Sequence, residues 1–380
     1  MLLVKNGNLH LPGQKVLPGG DILIQGGRIA QIGRGLSAPD AQVLDASGKE
    51  VLPGFILPAT SVGLTDYANL RQGDANEISA PNQAGLHVRY ALDGREVGLQ
   101  RYWLSGVTSF GATPAGGALL AGQMGVYHIT GFYASQMCVK DTVAVKGNFT
   151  SEVKRTFGGK NTAPMTRMGM AAQLREALGA AKRWAVEKDP QPNANCAALA
   201  RVLAGELPLL MNVNTVGDIS TVLDIASEFG VKVVLNMAYQ AHLALDAIRR
   251  AGTPVLLGDL FDSGARIQYG TDVPAILALR GEGLPVGITC APSGAGRENL
   301  LWNACRLVQM GAAPGDVLDM MTVDTARALG VEGLIGSIAE GLWADLAIYN
   351  GDPLQSWAAD VAATVVAGQI VYTKEGGPVC

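Results

Sequence analysis

Histidine is the residue type that most often holds a catalytic metal ion, and the 380 residues of this chain contain only four. They are His10, His87, His128 and His242, and none belongs to an H-x-H or H-x3-H arrangement. Two imidazoles at such a spacing can meet at one ion, which is how many zinc sites begin. We therefore predict that the chain holds no zinc, iron or manganese and needs no other cofactor.

The five cysteines are an odd number, widely spaced, and contain no CxxC pair: Cys138, Cys196, Cys290, Cys305 and Cys380. This distribution argues against a zinc knuckle or a disulfide framework and favours reduced thiols in the cytoplasm. Cys290 follows a strand-like run in ITCAPSG, so it is the best candidate for a nucleophile. The alternative is a buried thiol that only packs, because no histidine is near it in sequence to lower its pKa.

Other candidate pocket residues also end strand-like runs. His128 lies in GVYHITG, and Asp259 and Asp272 lie in LLGDLFDS and YGTDVPA, where they could act as general bases. The alternatives are a histidine satisfied at a strand end and carboxylates that cap helices. His242 is expected on a helix, and Lys146 in TVAVKG is expected to be a solvated lysine at a strand end. We assign no catalytic residue.

The pattern of apolar residues divides the chain into two kinds of structure. The first fifty residues alternate in short strand-like runs separated by turns, and strand patterning returns after about residue 334. Between them, fully apolar runs alternate with amphipathic helical segments, which is typical of parallel βα units. We predict a distorted (β/α)8 TIM barrel over residues 53–334. Residues 1–52 and 335–380 are predicted to form one small composite β-sandwich domain.

Loops at the carboxyl ends of barrel strands carry the active site in this type of fold. Residues 147–164 and 262–270 are rich in Gly, Asn, Ser and Thr and are predicted to be such loops. The segment PAGGALLAGQMG is predicted to form a tight loop over the barrel mouth. Thr166, with Pro164 just before it, is predicted to cap the long helix that follows.

Several segments resemble the amidohydrolase superfamily. DILIQGGRIAQIG, DASGKEVLPGFI and IGSIAEGLWADLAIYNGDP are similar to its first and last strands. The middle of the chain, through GDANEIS, SGVTSFGATPAGGALLAGQMGV and APMTRMGMAAQLREAL, is most similar to the imidazolonepropionase-like branch. The resemblance covers nearly the whole chain. It implies hydrolysis of carbon–nitrogen bonds by one or two divalent metals at the barrel mouth.

The positions that the resemblance assigns to metal ligands carry unsuitable side chains. The family's H-x-H after its first barrel strand falls within PGFILPATSVG, and later ligand positions fall within LLMNVNTV, VLNMAYQAH and GITCAPSG. The residues at these positions are Ala59, Ser61, Asn212, Asn214, Met237 and Ala291. A methyl group cannot bind a metal, and amides and a thioether are poor ligands for zinc. The resemblance therefore implies a degenerate metal site.

Composition excludes several classes of partner. The net charge is −4 and no Lys/Arg cluster is present, so neither a nucleic acid nor an anionic membrane surface is indicated. No apolar run reaches the ~20 residues of a membrane span, and the first residues do not resemble a signal peptide. We expect a cytoplasmic protein. Charged residues make up only 16%, which suggests that part of the surface meets another subunit.

Three functions remain open on the sequence. The favoured one is a pseudoenzyme, a catalytically inactive amidohydrolase-like subunit that supports an active amidohydrolase homologue in a hetero-oligomer. The second is a metal-independent hydrolase or small-molecule-binding protein that uses the barrel mouth. The third is a divergent metal-dependent hydrolase of non-peptide carbon–nitrogen bonds. The metal content of the purified chain, together with an amidase assay, distinguishes them.

Overall fold

The computed structural model of the chain describes residues 1–64, 73–260, 270–290 and 296–378. It is an α/β fold with two mixed sheets, which confirms the predicted class. The strands are β1 Leu2–Leu11, β2 Lys15–Gln25, β3 Arg28–Gly33, β4 Gln42–Asp45, β5 Glu50–Pro53, β6 Phe55–Thr60, β7 Val107–Ala112, β8 Leu120–His128, β9 Cys138–Asn148, β10 Leu209–Asn212, β11 Val233–Asn236, β12 Val255–Leu257, β13 Val286–Ile288, β14 Leu346–Tyr349, β15 Val361–Val366, β16 Gln369–Thr373 and β17 Gly377–Pro378.

Strands from both parts of the chain form one nine-stranded sheet. Its order is β17-β16-β15-β14-β5-β1-β2-β3, with β4 paired to β1. The N-terminal and C-terminal strands meet where β5 pairs antiparallel with β14. Alternating residues such as Ile22 and Ile24 of β2 point into one apolar core, which they share with Leu346 and Val365. Burying these side chains holds the two parts of the chain in the same sheet.

The second sheet has eight strands in the order β13-β12-β11-β10-β9-β8-β7-β6. Seven run in the same direction, and β8 is antiparallel to both neighbours. The connections on either side of β8 are short, spanning residues 113–119 and 129–137, so they form hairpins rather than helical crossovers. One face of the sheet contributes Ile56, Leu210, Val234 and Leu256 to a separate apolar cluster.

Buried residues of most of the described helices belong to the apolar cluster on the other face of this sheet. The helices are α1 Ala134–Met137, α2 Ser151–Gly159, α3 Arg167–Trp184, α4 Ala194–Leu203, α5 Val216–Phe229, α6 Leu245–Ala251, α7 Val273–Gly281, α8 Gly296–Gln309, α9 Pro314–Met321 and α10 Val323–Ala328. Short 3-10 helices occupy Val88–Tyr90, Leu99–Ser105 and Ala241–Leu243. In the part of the chain that is described, no helix has the length and apolarity needed to cross a membrane.

Local signals at helix starts were predicted well, whereas the loops were not. Thr166 caps α3 as predicted, because its hydroxyl accepts a hydrogen bond from Gly169 N at 3.0 Å. Residues 147–164 were predicted to be a loop but contain α2, which buries Val153 and Phe157. The other predicted loop, residues 262–270, lies almost wholly outside the described residues.

Candidate functional site

A cavity of about 70 Å³ lies at the carboxyl edge of the eight-stranded sheet. Ends of β6, β9, β10 and β11 line it, together with the residues that follow β13 and the start of the loop after β7. Four of the six positions expected to be degenerate ligands are among its lining residues: Ala59, Ser61, Asn212 and Met237. Residues distant in sequence are therefore brought together at the edge where parallel strands place their functional side chains.

Three asparagines form a polar row across this edge. Asn148, Asn212 and Asn236 are the last residues of β9, β10 and β11, and the ladder places them side by side. Asn236 Nδ2 donates to Asn212 Oδ1 at 2.6 Å. Asn148 Nδ2 donates to the carbonyl oxygen of Ala118 at 2.8 Å. Two members of the row, Asn212 and Asn236, line the cavity.

Lys146 is the residue that sequence reasoning placed wrongly. It was expected to be solvated, but only 2% of its surface is exposed and it lines the cavity. On β9 it lies between Gly122 of β8 and Leu210 of β10. Its Nζ donates to Gly147 O at 2.8 Å and to Asn148 Oδ1 at 2.7 Å. Desolvation of the ammonium form holds the pKa of Lys146 well below its ordinary value.

Cys290 also lines the cavity, at the position where a nucleophile was considered. Burial, followed by the nearby charge of Asp259, raises the pKa of its thiol far above the ordinary range. A protonated thiol is a poor nucleophile, so this environment favours packing over catalysis. Asp259 is buried as well, and its carboxylate accepts a hydrogen bond from Asn303 Nδ2 at 3.1 Å.

His128 does not reach the cavity. Because β8 runs antiparallel, its last residue lies opposite Ser109, near the amino end of β7 and at the far edge of the sheet. There His128 Nε2 lies 3.1 Å from the buried carboxylate of Asp345, and its ring packs edge-on against Trp343 at 5.5 Å. The proposed pocket role of His128 therefore gives way to a structural contact with the nine-stranded sheet.

The remaining candidates lie elsewhere. Asp272 is exposed and caps α7 by accepting a hydrogen bond from Ala275 N at 3.2 Å. Its own amide donates to Nδ1 of His242, which lies on the 3-10 helix Ala241–Leu243. Asn214 is two residues beyond the end of β10 and is not among the residues that line the cavity. Ala291 lies outside the described residues.

The side chains around the cavity do not fit a divalent metal ion of the kind that the resemblance implies. Ala59 offers a methyl group, Asn212 Oδ1 already accepts a hydrogen bond, and Lys146 is a hydrogen-bond donor. Nowhere in residues 1–64, 73–260, 270–290 and 296–378 do three His, Cys, Asp or Glu side chains come together as a possible metal site. We therefore derive no metal-assisted step.

The row of three asparagines has a recognisable pattern in the sequence. Three successive strand runs end in asparagine, as VKGN, LLMN and VVLN. Parallel strands place such residues at one edge, so the row could have been predicted as a unit. The burial of Lys146 had no comparable signal, because it depends on which strands flank β9.

Comparison with known proteins finds similarity to amidohydrolases. Residues 284–372 match the amidohydrolase family. The amidohydrolase tasK of Hapsidospora irregularis is 24% identical over 90% of this chain, which spans 39% of that protein's length. The N-substituted formamide deformylase of Arthrobacter pascens is 45% identical over 90 residues. These residues make up 22% of this chain and 16% of that protein. The chain thus covers less than half of either relative.

The structural likeness extends over the whole chain. A crystal structure of an amidohydrolase from Thermotoga maritima MSB8 superposes with a TM-score of 0.92. The two chains are 25% identical, and the match covers 98% of this chain and 100% of the other. Both the sequence match near the C-terminus and this superposition agree with the segments that resemble the superfamily. In sequence near the C-terminus, and in fold over 98% of its length, the chain is similar to members of the amidohydrolase superfamily.

Proposed function

We propose that this chain is a catalytically inactive amidohydrolase-like subunit, a pseudoenzyme, that supports an active amidohydrolase in a hetero-oligomer. The observation that carries the proposal is the donor set of the cavity. Strand ends still converge there, but they present a methyl group at Ala59, a hydroxyl at Ser61 and amides at Asn212 and Asn236. Hydrolysis in the superfamily relies on a metal that activates water, and these groups are poor ligands for one.

The architecture that accompanies this function is a distorted (β/α)8 barrel over residues 53–334 with a β-sandwich formed by residues 1–52 and 335–380. Support comes from the eight-stranded sheet, whose two edge strands lie close together. Ser61 follows β6 and Cys290 follows β13, yet both line the same cavity. Such proximity is expected if the sheet curves round on itself. The antiparallel strand β8 is the distortion.

We place the assembly in the cytoplasm, with no cofactor in this subunit. The four cysteines of the described residues form no disulfide with one another, which suits a reducing compartment. Partner binding is supported by large apolar side chains that remain exposed, among them Tyr90, Phe132 and Tyr133. A homologous amidohydrolase is the favoured partner, because related folds can dock through related surfaces.

A divergent hydrolase is the second candidate. It would act on non-peptide carbon–nitrogen bonds, with or without a metal. The match to the formamide deformylase, 45% identical over 90 residues, favours this reading. The matched segment is too short to include most of the strands that line the cavity. An amine at Lys146, rather than an imidazole set, would then be the reactive group available in the cavity.

The deciding experiment combines metal analysis with activity. The purified full-length chain is dialysed and its zinc, iron and manganese are measured, and amide hydrolysis is assayed alone and after co-expression with an amidohydrolase encoded beside it. We expect less than one metal per chain and activity only in the co-expressed complex. That activity should persist in Cys290→Ala, since the cavity of this subunit does not perform the hydrolysis.

A gain-of-binding variant serves as the matched control. Ala59→His combined with Ser61→His restores two imidazoles at the spacing that zinc sites use. We expect this double variant to retain more zinc than the unaltered chain after the same dialysis. One metal per unaltered chain, with amide hydrolysis lost on chelation, would replace the pseudoenzyme with the divergent metal-dependent hydrolase. Activity without metal in the isolated chain would favour the metal-independent one.

A further inference from the structure

The amine of Lys146 has an arrangement of hydrogen bonds that suits its neutral form. A neutral primary amine has two N–H donors and one lone pair. Two acceptors, Gly147 O at 2.8 Å and Asn148 Oδ1 at 2.7 Å, account for both donors. Among the described residues no carboxylate forms an ion pair with Lys146. Donating these two hydrogen bonds does not use the nitrogen lone pair of the neutral amine.

The hydrogen bonds of Asn148 Nδ2 hold Asn148 Oδ1, the acceptor for Lys146, in place. Asn148 Nδ2 donates to Ala118 O at 2.8 Å and approaches Ala115 O at 3.4 Å, so the amide oxygen is the atom that faces Lys146. Such a network fixes the orientation of the amide. Because the ammonium form would bring a third N–H with no acceptor and a buried charge, the pocket favours the neutral amine. Burial lowers the pKa of Lys146 in the same direction.

The cavity beside the amine is small and polar. Its volume of about 70 Å³ leaves room for on the order of five waters, or for a molecule of a few non-hydrogen atoms. Its wall includes the hydroxyl-bearing residues Ser61 and Thr113, and Asn236 Oδ1 is a buried acceptor without a hydrogen-bond partner among the described residues. The described lining contains no arginine, so with Lys146 neutral it offers no cation to pair with a carboxylate or a phosphate.

We propose that Lys146 captures a small uncharged aldehyde in this cavity as a reversible imine. The nitrogen lone pair attacks the carbonyl carbon, and the π electrons move to oxygen. A proton passes from nitrogen to that oxygen to give a carbinolamine. Loss of the hydroxyl with the second nitrogen proton, as water, leaves the carbon–nitrogen double bond. Amine plus aldehyde thus gives imine plus water, with no oxidant, reductant or metal required.

This inference goes beyond the proposed function and does not depend on it. A subunit that hydrolyses nothing can still bind a small carbonyl compound covalently, and an active hydrolase can lack this reaction. The chemistry points to an uncharged ligand because the amine is neutral and, among the described residues, no second cationic side chain lines the cavity. A ligand of only a few atoms is required by the volume.

The test traps the imine in the full-length wild-type protein. The chain is treated with a limiting amount of acetaldehyde and cyanoborohydride near neutral pH, and ethylation of each of its eleven lysines is quantified by peptide mass spectrometry. Lys140 is the internal control, because it lies on the same strand but is exposed. We expect Lys146 to react at least about tenfold faster than Lys140, since the reaction needs the neutral amine.

Two further arms make the result decisive. Glyoxylate replaces acetaldehyde as a charged aldehyde of similar size, and we expect it to lose the preference for Lys146. Lys146→Met should abolish the fast phase, and Lys140→Met should leave it intact. If the lysine variant does not fold, the labelling pattern of the wild-type chain alone decides. Labelling of Lys146 no faster than of Lys140 would overturn the proposal, and equal preference with glyoxylate would overturn the uncharged ligand.

Discussion

Lys146 shows how a single buried residue links stability to pH. The unfolded chain carries this side chain with an ordinary pKa near 10.5, whereas desolvation lowers the pKa in the folded chain. At a pH between the pKa of Lys146 in the folded chain and its pKa in the unfolded chain, this side chain is protonated in the unfolded state but not in the folded state. The free energy of unfolding therefore rises with pH in this window, by up to about 1.4 kcal/mol per pH unit. Above the unfolded value this dependence ends.

The prediction concerns the slope rather than the stability at one pH. Lys146→Met lacks the group whose titration makes the free energy of unfolding rise with pH. Wild type therefore gains stability relative to this variant as the pH increases from about 8 to about 10. Urea unfolding of both proteins across this range measures the difference. The exposed Lys140→Met should run parallel to wild type. A constant gap between wild type and Lys146→Met would mean that Lys146 is charged in the folded protein.

At the scale of elements, the reversed strand β8 ties the two sheets together. It delivers His128 to Asp345, whose carboxylate also accepts a hydrogen bond from Ala367 N at 2.8 Å and lies 3.4 Å from Ser109 Oγ. Asp345 immediately precedes β14 of the nine-stranded sheet. Because the carboxylate is buried, it depends on these few partners for its solvation.

We predict that His128→Ala lowers the free energy of unfolding by about 3 kcal/mol, since it leaves the Asp345 carboxylate short of a partner and removes packing against Trp343. His10→Ala is the matched control, because His10 also pairs with a carboxylate, that of Glu50, but both side chains are partly exposed. Its loss should be about 1 kcal/mol or less. Urea unfolding measures both, and equal losses would contradict the role given to His128.

These elements also show which features the sequence could predict. Alternation of apolar runs indicated an α/β fold, and the hydroxyl of Thr166 was a local signal sufficient to predict the start of α3. The direction of β8 had no such signal, because a strand buried on both faces has the same pattern in either direction. For the same reason His128 was placed near the pocket. Lys146 lines a cavity together with residues that are distant in sequence, so residues near it in sequence do not reveal its burial.

At the scale of the whole molecule, we expect the proposed partner to bind where apolar side chains are exposed. Tyr90, Val97, Phe132 and Tyr133 are each more than half exposed. They lie on two connections joined by a bridge between Asp93 and Tyr133 and by a hydrogen bond from Gly94 N to Phe132 O. Aromatic residues held on connected backbone resemble the centre of a protein interface more than isolated surface residues. We call these four residues, three aromatic rings and one valine, the aromatic patch.

The last prediction tests this patch in the proposed hetero-oligomer. Phe132→Asp should weaken binding to the co-expressed amidohydrolase by about 2 kcal/mol or more, roughly thirtyfold in Kd, because it places a charge in an apolar contact. Trp357→Asp is the control, since Trp357 is 81% exposed but lies between β14 and β15 of the nine-stranded sheet. Co-purification and sedimentation of the complex, with its amide hydrolysis, provide the measurements. Equal binding by both variants would exclude the aromatic patch as the interface. An isolated chain that remains monomeric and hydrolyses amides without a partner would exclude the supporting role itself.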